Sequence, residues 1–492
     1  MIIMTKHIKQ SIPAVRRAFL LGGILAFLTV SLFISCESTK PAERPSEAVP
    51  EKTAAPEKAP ERVVDPASAE AILTKISEAL SRGDYPGALA LFDTFKPEDA
   101  EKNDIKLLKA SVLGSAGKFD NGRAIAREVL AAEPNNLDAL FVLSFIEGAA
   151  GKEREQRAIL ENIVKIDPNN AEAYATLGNI SLRGRSYKNA KNYFDRALKA
   201  DSKNPDALVG LAAVFRHDDD PKNAETLLNR AISLYPEWSQ PLVDRAKMYK
   251  SYGYAKEALE DLDTAKKLSP NDYYISVDRG NTLLDLRRMD EALEEFNRAI
   301  SLNPDMFLAY VYSAGIKDDK GDYAGAERDY AALIKLRPDY YFAYEGYGIL
   351  MMRGGKWAEA RDAFASASNY VPKDVSYVLL ASENSMRAGR LNDPKAFLAK
   401  AIPNFTRDTI EWYMLRLYHD LTGDNDIIIR IDREKNLDKK AQMLYHLATY
   451  YDIRGNKILA DKYYLMVQEL DRKGILEWKL NEIALENRGL KH

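Results

Sequence analysis

The sequence predicts an all-α solenoid, a row of paired helices stacked one on the next. Three observations predict it. Small residues recur at a period of 34 over most of the 492 residues. Large apolar residues recur in register with them, at helical spacing within each unit. Glycines and prolines punctuate the units where helices must stop. Length alone would suggest about three domains, but that prior fails for repeat arrays.

The first element is a leader. Residues 1–17 are polar and basic, with Lys6, Lys9, Arg16 and Arg17 and no acid, and residues 18–34 (AFLLGGILAFLTVSLFI) are apolar and uncharged. Ser35 and Cys36 follow, then charged and proline-rich sequence. This is the pattern of a secretory signal peptide over residues 1–35. Cys36 is the only cysteine, which excludes an internal disulfide framework and a Cys-rich zinc site. The segment resembles the lipobox of bacterial lipoproteins, with Phe33 where leucine is usual and Leu32 one place earlier. That resemblance implies acylation of the Cys36 sulfur, and two or three acyl chains anchor a protein stably. An uncleaved transmembrane anchor is the alternative, since seventeen apolar residues sit at the short edge of the roughly 17–25 that span a bilayer. Simple secretion is the third reading, and all three export the body.

Residues 36–66 form the tether. Prolines at 41, 45, 50, 56, 60 and 66 are separated by alternating Glu, Lys and Arg. Such a stretch has almost nothing to bury and stays extended or disordered. Its reach is about 30 Å as a coil and on the order of 90 Å fully extended.

The repeats follow. Alanine recurs at 190, 224, 258, 292, 326 and 360. Glycine or alanine recurs at 178, 212, 246, 280, 314 and 348, and proline at 134, 168, 236, 270, 304, 338 and 372. A large apolar or aromatic residue falls at Phe194, Leu228, Leu262, Phe296, Tyr330 and Phe364. Each unit reads as two helices. In 341–372, Gly354-Gly355 breaks the first helix, Trp357 opens the second, and Pro372 ends the unit. Three divergent units occupy 67–170, regular units 171–402, and degenerate then restored units 403–472. Residues 473–492 are the tail. Within it ILEWKLNEIALEN, residues 475–487, reads as a polar-faced helix that caps the stack.

This pattern resembles the tetratricopeptide repeat (TPR). In 171–202, Tyr174, Leu177, Gly178, Tyr187, Ala190, Phe194 and Ala197 stand where that family's signature places them. The resemblance implies a right-handed superhelix of about twelve helix-turn-helix repeats. It also implies a groove, lined by the first helix of each repeat, that accepts an extended peptide or a helix. Placed on that pattern, Asn179 and Arg183 line the groove, followed by Arg216, Lys247 and Lys250, then Tyr274, Asn281 and Asp285, then Asp318, Asp319, Phe342 and Glu345. The groove would run from basic to acidic and aromatic. Exposed aromatics beside charge are what binding hot spots use, whereas Tyr274 and Phe342 packed between repeats would be ordinary core. The two-carboxylate clamp of chaperone-binding relatives is not evident, because Ala175 precedes Asn179 and Val277 precedes Asn281 where lysine would be needed.

Catalytic chemistry finds little support. His217, His419, His446 and His492 are far apart in sequence, with no His-x-x-x-His pair and no cysteine beside them. RHDDDP (216–221) lacks the alternation of a calcium loop and reads as a turn. YEGYG (344–348) follows no strand and is no dinucleotide fingerprint, and GDND (423–426) reads as a turn. No enzyme activity, metal or cofactor is expected. Outside residues 1–35 the net charge is −7, which argues against bulk nucleic-acid binding. The expected protein is an exported, lipid-anchored, non-catalytic scaffold or adaptor that binds other envelope or surface proteins. A surface-exposed adhesin is the alternative. Homo-oligomerisation is open, through the divergent units.

Overall fold

The computed structural model describes residues 68–389 and 393–490. The leader, Cys36, the tether and His492 lie outside the described residues. Those described form helices, turns and bends with no strand, and they divide into two compact units at Arg288/Met289.

Unit 1 contains α1 (Ala69–Ser81), α2 (Tyr85–Leu91), α3 (Pro97–Ala100), α4 (Asn103–Ser115), α5 (Phe119–Ala132), α6 (Leu137–Ala149), α7 (Glu153–Ile166), α8 (Ala171–Arg183) and α9 (Tyr187–Ala200). It continues with α10 (Pro205–His217), α11 (Pro221–Leu234), α12 (Gln240–Ser251), α13 (Ala255–Leu268) and α14 (Tyr273–Asp285). Unit 2 contains α15 (Met289–Leu302), α16 (Phe307–Asp319), α17 (Tyr323–Leu336), α18 (Tyr341–Arg353), α19 (Trp357–Tyr370) and α20 (Val375–Arg387). It ends with α21 (Asp393–Ala401), α22 (Ile410–Asp420), α23 (Asp424–Arg433), α24 (Leu437–Ile453), α25 (Lys457–Leu470) and α26 (Leu476–Asn487).

The period of 34 has two local causes. One is the turn inside each pair. Gly83, Gly117, Gly151, Gly253, Gly321, Gly355, Gly389 and Gly423 all have positive φ at that turn. Arg185, Asp219 and Arg287 hold the same place with φ of 57–58°. The left-handed turn is therefore kept even where a side chain makes it costly. The other cause is the cap that starts the next pair. Asn136, Asn170 and Asn204 each accept the backbone N–H three residues on, at 2.9–3.0 Å. Each cap satisfies a donor that the first helical turn cannot.

The small residues allow the helices of a pair to cross closely. A Cβ on Gly178 would sit 2.5 Å from the Phe194 ring, and one on Gly348 would sit 2.8 Å from Phe364. Ala190, Phe194 and Ala197 are fully buried, as are Ala360, Phe364 and Ala367. Unit 1 divides its core into several small clusters, one for every pair or two. Most of unit 2 shares one cluster that runs from Ala326 to Leu485.

One feature of unit 2, its last helix, differs from expectation, while a proline placed at a helix start does not. Pro394 falls in the first turn of α21, as its restricted φ allows. Helix α26, expected as a polar-faced cap, instead buries Glu477, Trp478, Leu480, Asn481 and Leu485. Of its buried polar residues, Glu477 faces inward to meet Ser376, Gln442 and His446.

Candidate functional site

The residues expected to line a groove fall into both units. In unit 1 they lie on the first helices of successive pairs, α8, α10, α12 and α14. Asn179 is half-buried, and the exposed Arg183 lies 3.7 Å from Glu153 Oε2. Lys247 Nζ lies 3.2 Å from Asp278 Oδ2, and Lys250 Nζ lies 3.3 Å from Asp285 Oδ2. The expected run from basic to acidic is thus partly self-neutralised, each lysine of α12 reaching a carboxylate of α14. Both lysines keep exposed side chains, at 45% and 36%. Pairs of this kind hold little energy and exchange readily with a ligand carboxylate.

Arg216 stands apart, with no hydrogen-bond or ion-pair partner among the described residues. It lines a surface pocket of about 500 Å³ with Asp219, Lys247, Ser251 and Tyr252. The Tyr252 hydroxyl donates to Asp219 Oδ1 at 2.6 Å, so that carboxylate is already engaged. On the next first helix Tyr274 is 48% exposed, its ring 4.3 Å from that of Tyr273. Asn281 is half-buried and Asp285 exposed. Tyr274 is therefore a surface aromatic and not core.

In unit 2 the expected residues meet a different fate. Asp318 is buried and accepts from Lys479 Nζ of α26 at 2.8 Å. It is a partner of the chain's own helix, which corrects its assignment as an open groove residue. Glu345 is half-buried and accepts from the Tyr377 hydroxyl at 2.5 Å. Burial pushes the Glu345 carboxyl above its usual range, against that hydrogen bond. Asp319 and Phe342 are exposed, Phe342 with its ring 4.2 Å from Tyr341.

Unit 2 also holds a polar centre that no sequence spacing announces. His446 on α24 is fully buried, its Nδ1 2.7 Å from Glu383 Oε1 and its Nε2 3.2 Å from Glu477 Oε1. The Tyr418 hydroxyl donates to Glu383 Oε1 at 2.8 Å and to the His446 carbonyl at 2.6 Å. Glu477 also accepts from Ser376 Oγ and, at 3.2 Å, from Gln442 Nε2. Burial alone would lower the imidazole pKa, but the two carboxylates outweigh it and raise it to about 9. Burial would likewise raise the Glu477 carboxyl, but the hydrogen bond and charge of His446 hold it below its usual range. The raised imidazole favours the protonated form of His446 at neutral pH. No substrate-sized cleft opens on it, since all three side chains are at most 1% exposed. It ties α20, α22, α24 and α26 together. Among the described residues no cluster of metal-ligating side chains is present, and no helix is long and apolar enough to cross a membrane.

A family model described as tetratricopeptide repeat matches residues 175–237 and 317–370, and a second of the same description matches 275–306. No curated protein matches the chain. Among solved structures, the chain is similar to Pseudomonas aeruginosa pilF (20% identity, 42% of this chain and 94% of that one, TM-score 0.38). It is also similar to a tetratricopeptide repeat protein from Parabacteroides merdae (19% identity, 50% and 96%, TM-score 0.39). A third is the human IFIT1 dimer with m7Gppp-AAAA (15% identity, 82% and 90%, TM-score 0.42). The matched residues coincide with helix pairs that cross at Gly178/Phe194 and Gly348/Phe364, and the same paired geometry continues on either side of them. The chain is a tetratricopeptide-repeat protein.

Proposed function

We propose that the protein is a non-catalytic interaction scaffold, that it is exported and held at a bacterial membrane by lipid on Cys36, and that unit 1 binds partner proteins of the cell envelope. The observation that carries the binding assignment is the Arg216 pocket. A guanidinium with no hydrogen bond or ion pair among the described residues, near the half-buried Asp244, sits beside two exposed lysines whose carboxylate partners are easily exchanged, with the exposed Tyr274 on the next first helix. That combination suits an acidic segment with an apolar or aromatic neighbour, taken up along the first helices. The leader and the proline-rich tether support a body that searches a volume around its anchor.

The test places a photo-crosslinking amino acid at Ser251, on the pocket rim, in the full-length protein in cells. A control carries it at the exposed Thr226 on α11. A defined protein captured from Ser251 and not from Thr226 supports the reading. The same set captured from both positions refutes it. Fractionation with a Cys36→Ala variant tests the anchor. The body should leave the membrane fraction, and a variant that stays there would place the anchor in the apolar leader itself.

A further inference from the structure

Helix α26 occupies a face that a ligand could use. Its contacts reach the first helices of three pairs in unit 2. Lys479 reaches Asp318 on α16, and Glu477 meets Ser376 on α20 and both Gln442 and His446 on α24. Trp478, Leu480 and Leu485 are buried on the same helix. The chain thus shows what this face accepts: an amphipathic helix, anchored by a buried carboxylate and steered by a cation two residues further on.

The fit is incomplete. Asn481 is fully buried on α26, one turn after Glu477, and neither its amide nitrogen nor its amide oxygen has a hydrogen-bond partner among the described residues. A buried amide without partners forfeits its hydration and gains nothing for it. Glu383 Oε2 and Asn384 Oδ1 on α20 are also buried without hydrogen-bond partners among the described residues. The segment that joins α26 to α25 runs through Asp471, with φ of 48°, and Gly474. Lys479 itself is 44% exposed, so its bond to Asp318 is reached by water.

We propose that the first-helix face of unit 2 is a helix-docking site whose resting occupant is α26. A partner protein would displace α26 with an amphipathic helix that keeps the Glu477 carboxylate and the Lys479 cation but carries an apolar residue in place of Asn481. The proposal rests on the interaction reading above and assigns a second surface to it. A second copy of the chain is a poor candidate for the occupant. It would bring the same imperfect helix, and the resident one holds the advantage of its covalent link. A helix without the orphaned amide has an intrinsic gain with which to compete.

The experiment uses the full-length protein and a fluorescein-labelled peptide of residues 473–489 carrying Asn481→Leu, read by anisotropy. A full-length Lys479→Glu variant sets the resident helix against Asp318. The peptide should bind this variant at least tenfold more tightly than it binds the unaltered protein. It should also bind at least fivefold more tightly than a peptide with the native Asn481. A peptide carrying Glu477→Lys as well should not bind. Absence of binding to both proteins, or equal binding of the Glu477→Lys peptide, overturns the proposal. Equal binding of the native and Asn481→Leu peptides overturns the partner chemistry in favour of exchange between copies. Hydrogen exchange on the unaltered protein is an independent reading that needs no variant. Amides of α26 should exchange ahead of those of α24, and exchange only together with them would show α26 to be a fixed part of the core. Capture at Ser251 reports on unit 1 alone, so either surface can fail without the other.

Discussion

Replacing His446 with glutamine removes the cation from the buried centre of unit 2 while keeping a side chain that can hydrogen bond. Glu383 and Glu477 are then left facing each other across a space from which water is excluded. The size of the effect follows from the linkage. Raising an imidazole from 6.5 to about 9 corresponds to about 3 kcal/mol, at about 1.4 kcal/mol for each tenfold change in proton affinity. Breaking a buried charge pair by removing one partner costs about 3–5 kcal/mol on independent grounds. The sign is fixed as well. The folded-state pKa is raised, so the contribution is fully present below about pH 6.5 and is lost as pH rises through about 9. The assay is urea unfolding followed by tryptophan fluorescence in a Trp238→Phe background. That leaves Trp357, Trp412 and Trp478, all in unit 2, as reporters. Between pH 6.5 and 9.5 the stability of unit 2 should fall by about 3 kcal/mol in the background protein. It should stay nearly flat in His446→Gln, which should begin about 3 kcal/mol lower. A variant within about 1 kcal/mol of the background at pH 6.5, with the same pH slope, would refute the assignment of a buried imidazolium.

Three further outcomes follow from unit 1, read during unfolding in a background where Trp238 is the sole tryptophan. Arg123 and Glu147 are both buried, with Nε 2.8 Å from Oε1, so Arg123→Met should cost about 3–5 kcal/mol and Arg123→Met/Glu147→Leu should recover most of it. Arg185 sits at φ 57° where most repeats place glycine, so Arg185→Gly should stabilise by about 0.5–1 kcal/mol, and a loss of stability would show the turn to be relaxed with arginine. The buried Asn204 caps α10 through the Ala207 N–H at 2.9 Å, so Asn204→Ala should cost about 1–2 kcal/mol.

Much of the fold was legible because its causes are local. A Gly178 that must admit Phe194 and an Asn204 that must cap α10 act within a few turns, and a period of 34 repeats them. The turns at Arg185 and Arg287 were missed, although they stand at the glycine register, because the residue type there is not glycine, whereas the turn at Asp219 was legible from RHDDDP. The expected groove was legible as positions but not as partners. Lys247 and Lys250 looked like ligand contacts, and the next first helix supplies Asp278 and Asp285 to meet them. The centre at His446 was not legible at all. Its two carboxylates lie 63 and 31 residues away, at no motif spacing. A fainter signal did exist. VSYVLLASENSM in α20 and MLYHLATYY in α24 carry one charged residue between them, Glu383, if His446 is set aside. A first helix without a charged face is a helix covered on both sides. The covering element is α26, whose Glu477 looked solvent-facing because its partners lie on other helices.

In the proposed function, unit 1 recognises a partner through the cation-lined pocket around Arg216. The most direct test is the affinity of the protein captured from Ser251 for the full-length chain and for its Arg216→Glu variant, at low and moderate salt. At least a tenfold loss is expected in the variant, and a smaller difference between the two as salt rises, since screening weakens exposed charge contacts. Equal affinity at both salt concentrations would contradict it.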